Sequence, residues 1–186
     1  LGLGKLLTLE KLTEGVTFTN TKSVTFNGTS QGMDTGYGVD AAIRGSFTFS
    51  MWIKPTDGQP NTGNGNLIGT LPTSSPLFLL AVVLTNTGKI YLQITVGGDS
   101  HIETTDAAVF SDGAASSWTH IAAVWTRVGD SDAGTAAIYV NGSAVASTSG
   151  VGSGGLTGSE QDSGSFAGGE FNVGYMDALK TVPSTF

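Results

Sequence analysis

Cysteine is missing altogether from these 186 residues. Its absence excludes a disulfide framework and any thiolate metal site. Charge is scarce, at 12% of residues, and the basic share is the smaller, with eight Lys and Arg against fifteen Asp and Glu. A nucleic-acid binder needs clustered cations to displace counterions from phosphate. Here the cations are scattered. Nucleic acid is therefore excluded as a partner, and so is charge-driven binding to an anionic membrane. Long apolar runs are lacking too. The longest, residues 77–84, is strand-sized and far short of the ~18 residues of a transmembrane helix, so no membrane insertion is expected. Residues 1–12 carry no small-residue cleavage site and do not read as a signal peptide. Leu1 stands where an initiating Met would, so upstream sequence is expected.

What is plentiful is glycine, 28 residues of it, on a background that is 39% hydrophobic. Disordered chains combine low hydrophobicity with high net charge, and neither extreme holds here. A chain of this length buries on the order of 70% of the surface its unfolded form exposes, so one sizeable core is feasible. Few charges with many Gly, Ser and Thr point to strands joined by turns.

Two regions are expected: an arm over residues 1–15 and one domain over residues 16–186. Leu3, Leu6, Leu7 and Leu12 share a helix face, and with Leu9 they form a Leu-rich arm. It either packs on its own domain or docks on a partner, because a short isolated helix is marginal without a surface. The domain reads as about ten strands. Residues 23–26 precede the turn dipeptide Asn27-Gly28. Phe47, Phe49, Met51 and Ile53 alternate with Thr48, Ser50, Trp52 and Lys54, the period of a half-buried strand. Pro55 ends it. Residues 77–84 fit a strand buried on both faces, and a turn at Asn86-Thr87-Gly88 pairs it with residues 90–96. Residues 118–126, 135–140 and 170–174 are further strands, and Asn141-Gly142 turns the chain into residues 143–147. Residues 148–169 read as a Gly/Ser-rich surface loop, with Gly152 to Gly155 as linker. Together these give an all-β, antiparallel two-sheet sandwich.

Five segments then fall in a telling order: Ser23 to Gly28, Phe47 to Pro55, Trp118 to Trp125, Ile138 to Gly142 and Phe171 to Gly174. Their order and spacing resemble the laminin-G-like, concanavalin-A-like jelly-roll domains, of the kind found in bacteriophage structural proteins and bacterial surface proteins. The resemblance spans residues 16–174. It implies two stacked antiparallel sheets and a function in binding glycans, proteins or cell surfaces. It assigns Trp52, Trp118 and His120 to packing or hydrogen bonding within the sandwich. Asn27-Gly28-Thr29 and Asn141-Gly142-Ser143 match the glycosylation sequon, although turn chemistry accounts for both. The family pattern continues into a closing strand with an acidic pair, and residues 176–186 offer no equivalent. Either further sequence after Phe186 or a neighbour covering that edge is expected.

The superfamily's glucan hydrolases need carboxylates at alternate positions of one strand, flanking one bond. No glutamate here is read as standing two or four residues from another acid on a strand. Glu103 and Asp106 are the nearest pair, and their spacing of three puts them on opposite faces. Neither a Gly-x-Ser-x-Gly elbow nor a phosphate loop occurs. No enzyme is expected.

Calcium is the one candidate cofactor. Asp130 and Asp132 beside Gly134 form a short acidic turn, while Asp34, Asp40 and Asp57 are fragments in other loops; a calcium ion needs about six oxygen ligands. Glycan sites present aromatics and amides in loops, since sugar rings stack on aromatic faces and hydroxyls need partners. Tyr37, Asn61, Asn64, Asn66 and His101 are the candidates by loop position, His101 being read as solvated in a polar loop. The expected function is a non-enzymatic, surface-displayed module of a bacterial virus, a capsid decoration or tail-fibre component, partnered by other virion proteins or by copies of itself. The alternative is an extracellular bacterial adhesin or carbohydrate-binding module, with or without calcium.

Overall fold

A computed structural model describes residues 22–27, 31–38, 44–61, 63–70, 78–96, 99–151, 156–163 and 170–174. The Leu3, Leu6, Leu7, Leu9 and Leu12 arm, Asp40, the Gly152–Gly155 linker and residues 176–186 lie outside them.

Among the described residues, eleven strands and one short helix follow in order: β1 (Met33–Gly38), β2 (Phe47–Ile53), β3 (Gly65–Thr70), β4 (Phe78–Leu84), β5 (Ile90–Val96), β6 (Asp99–Thr105), β7 (Thr119–Thr126), β8 (Thr135–Val140), β9 (Ser143–Ala144), β10 (Ser147–Val151), α1 (Gly158–Ser163) and β11 (Glu170–Val173). They build two antiparallel sheets. One has seven strands in the order β1-β11-β3-β4-β5-β6-β10; the other has four, β2-β7-β8-β9. The chain is thus a two-sheet β-sandwich.

The core lies between the sheets. Leu80, Val82 and Leu84 of β4 and Ile90, Leu92 and Ile94 of β5 are fully buried; Ile121 and Trp125 of β7 and Ile138 of β8 face them from the smaller sheet. Each such side chain contributes on the order of 1.5–3 kcal/mol by leaving water. The β4–β5 hairpin is in register from Phe78 opposite Val96 to Leu84 opposite Ile90. Gly88 makes its turn possible. It sits at φ +74°, and a Cβ there would come 2.0 Å from the Phe110 carbonyl oxygen. Only glycine combines that conformation with that approach.

Four expectations change. Residues 23–26 form no strand; Asn27 and Gln31 instead exchange backbone-to-side-chain hydrogen bonds of 3.0 and 3.1 Å. The glycine-rich text around Asp34 forms β1, which pairs with β11. Asn66 belongs to strand β3, not to a loop. Residues 148–169 are not one loop: β10 pairs along β6, and α1 carries a fully buried Gln161. The Trp125 Nε1–H donates to Gln161 Oε1 at 3.2 Å, and Gln161 Nε2 donates to the Gly45 carbonyl at 3.1 Å. A buried indole N–H needs a partner, and that need anchors polar, glycine-rich text to the core.

Candidate functional site

Strand β2 alternates by period two, with Phe47, Phe49, Met51 and Ile53 turned to the core and Thr48, Ser50 and Trp52 turned out. The register with β7 sets Trp52 opposite His120 and Ser50 opposite Ala122. β8 sets Tyr139 opposite Ala122 in turn. The outer face of the four-stranded sheet therefore carries Trp52, His120, Ser50 and Tyr139 around a small residue, Ala122.

Trp52 is 61% exposed and Trp118, just before β7, is 47% exposed. Large exposed aromatics on a stiff sheet signal a contact surface more than a packing role. This corrects the expectation that Trp52 and Trp118 pack within the sandwich. The two rings of Trp52 and His120 stand 5.1 Å apart at 51°. His120 Nε2 lies 2.8 Å from Ser50 Oγ, and Asn141 Oδ1 accepts the His120 backbone N–H at 2.9 Å. Asn141 is held at φ 50° by its turn, a conformation asparagine tolerates better than most residues. Indole face, imidazole and hydroxyl thereby stand together on one exposed face of the sheet. A Ser–His pair alone is not a catalytic constellation, because a base needs an orienting group. Among the described residues, His120 has no carboxylate partner.

The residues singled out from loop position do not gather there. Asn61 is exposed, before β3. Asn64 accepts the Asn86 backbone N–H at 3.3 Å and hydrogen-bonds Tyr91, whose phenol burial pushes above its usual range. Asn66 stands opposite Val83, which stands opposite Tyr91. These three therefore share one end of the outer face of the seven-stranded sheet. Val83 between them is only 1% exposed, so this end is filled rather than grooved. Tyr37 falls in β1, and its side chain lies outside the described part of the molecule.

His101 is the clearest correction. It lies in β6, 3% exposed, with its ring against Trp125 at 5.0 Å between centroids. Its strand also revises the carboxylate reading, for Asp99, His101 and Glu103 occupy alternate positions of β6, and the two acids stand four apart. Glu103 faces inward, 4% exposed, and accepts hydrogen bonds from the Ser147 and Ser149 hydroxyls of β10. A carboxylate sealed there does not flank a substrate bond.

The acidic turn is engaged as well. Arg127 donates to Asp130 at 2.7 Å and to both oxygens of Asp162 at 2.8 and 2.9 Å. The guanidinium holds the Asp162 carboxyl below its ordinary range. A cation on Asp130 would compete with that guanidinium. Asp132 is exposed. Among the described residues, no three of His, Cys, Asp and Glu come together as metal ligands.

A family model described as the concanavalin A-like lectin/glucanases superfamily matches residues 26–182, most of the chain. Neither the curated proteins nor the solved structures gave a match.

Proposed function

Because the chain belongs to the concanavalin A-like lectin/glucanases superfamily, we propose that it is a non-enzymatic binding module displayed on a surface. The observation that carries this reading is the exposed Trp52–His120–Ser50 platform. An indole face offers a flat apolar area to a sugar ring, and the adjoining imidazole and hydroxyls can pair with its hydroxyls.

Within that class the leading reading is a virion protein of a bacterial virus, a decoration or tail-fibre component that recognises host-surface glycan. Its support lies in the acidic, cysteine-free, Gly-rich composition and the Leu-rich arm. The second reading is an extracellular adhesin or carbohydrate-binding module, and the same platform favours it. Calcium belongs to the second reading only if Asp130 is released from Arg127. Immunogold electron microscopy of the native source separates the two. Regular labelling of virus-like particles is the expected result. Labelling of cell envelopes or secreted material would overturn the virion reading and leave the adhesin.

A further inference from the structure

Among the described residues, β10 lies at the edge of its sheet and pairs with β6 alone. Two kinds of bond fasten it besides the ladder. The hydroxyls of Ser147 and Ser149 both donate to Glu103, and Thr148 Oγ1 donates to Asp106 Oδ1 at 2.6 Å. Glu103 also has a second neighbour. His101 Nε2 lies 3.4 Å from Glu103 Oε2, near enough for charge to act but not aligned as a hydrogen bond. Both ring nitrogens of His101 are buried and have no hydrogen-bond partner. A neutral imidazole tolerates this; an imidazolium does not, because its charge would sit against Trp125 and Ile94 in the apolar layer.

We propose that His101 and Glu103 form an acid-operated latch on the β10 edge of the seven-stranded sheet. A proton on His101 draws the Glu103 carboxylate to the imidazolium and away from the two serines. The fastening of β10 loosens, and the ring gains access to water as the edge opens. Release of β10 bares the pairing edge of β6.

The surroundings of His101 leave the effect to few groups. Glu103 is its charged neighbour, and Asp99 lies two residues before it on the same strand face. Among the described residues, β5, β7, β8 and β10 bring no charged side chain to this face, and α1 brings Asp162, which Arg127 holds at the surface. Burial pushes the imidazole below its ordinary value of 6.5, against the opposing pull of Glu103. A histidine whose folded-state value is lowered stabilises the closed form above the unfolded value and loses that contribution as pH falls below it. The window therefore opens below about pH 6.5.

Amide hydrogen exchange on the whole chain tests the latch, with rates normalised to the unfolded peptide at each pH. The expected result is a fall in β10 protection of up to about tenfold per pH unit below 6.5, while β4 and β5 stay protected. H101F removes the titrating group and should flatten the profile. E103Q removes the charge that raises the closed-state imidazole's proton affinity, so the fall should still begin near pH 6.5 but continue further down and reach a larger total loss of protection. E103Q decides the matter alone if H101F does not fold. The latch is overturned if β10 and the β4–β5 hairpin lose protection together, if H101F keeps the wild-type profile, or if E103Q leaves the depth of the fall unchanged.

Discussion

Trp52 and Trp125 show what one residue type does in two settings. Trp125 is fully buried, and Gly134 packs directly on it; a Cβ at that glycine would lie 2.1 Å from Trp125 Cζ2. Gly134→Ala is expected to destabilise the fold by about 1–3 kcal/mol, the usual cost of overpacking a core, read as a lower urea midpoint with unchanged slope. Trp52 has most of its surface in water, so Trp52→Ala should leave stability within about 0.5 kcal/mol. A large loss of stability in that variant would mean that the ring is structural after all. The exposure of Trp52 was legible in the sequence, because it occupies the polar register of β2 beside Thr48 and Ser50. Likeness to a family motif argued the other way, and the register proved the better guide.

Elements were legible where apolar spacing alone specified them. β2 and β5 place apolar side chains at every inward position, and their period shows; β4 is legible as an unbroken apolar run, and β7 by Ile121, Ala123 and Trp125. β6 hides its period. Its inward positions include His101, Glu103 and Thr105, and the burial of Glu103 is met by hydroxyls from elsewhere, those of Ser147 and Ser149. Long-range pairing of that kind leaves no local signature. β3 is hidden by Gly65 and Gly69, and α1 by its setting in Gly/Ser-rich text. The helix still contributes measurably to the core through Gln161. Gln161→Leu keeps the volume but strands the Trp125 N–H and the Gly45 carbonyl, at a cost of about 1–3 kcal/mol. Thermal denaturation checks this; an unchanged midpoint would mean that α1 is not docked through that pair.

At the scale of the whole molecule, two sheets of unequal size leave two outer faces of different character. The larger sheet is filled where Asn64, Asn66 and Tyr91 meet, and the smaller one displays a Trp–His–Ser platform. The net charge of −7 favours neutral or cationic partners over phosphate-rich ones. Arg127 already neutralises Asp130, so the melting temperature is expected to be the same in calcium and in chelator. A saturating ligand at 100 times its Kd would add about 2.7 kcal/mol, a shift of several degrees; such a shift with calcium would restore the acidic turn as a metal site.

The platform is tested most directly by applying the intact protein and Trp52→Ala in parallel to a panel of bacterial surface glycans, with folding of both verified. The wild type should bind a subset of sugars. The variant should lose about 2 kcal/mol or more of that affinity, as expected when a central aromatic anchor is truncated. Equal binding by the two proteins, or no binding by the wild type, would contradict a glycan-recognition surface on this face.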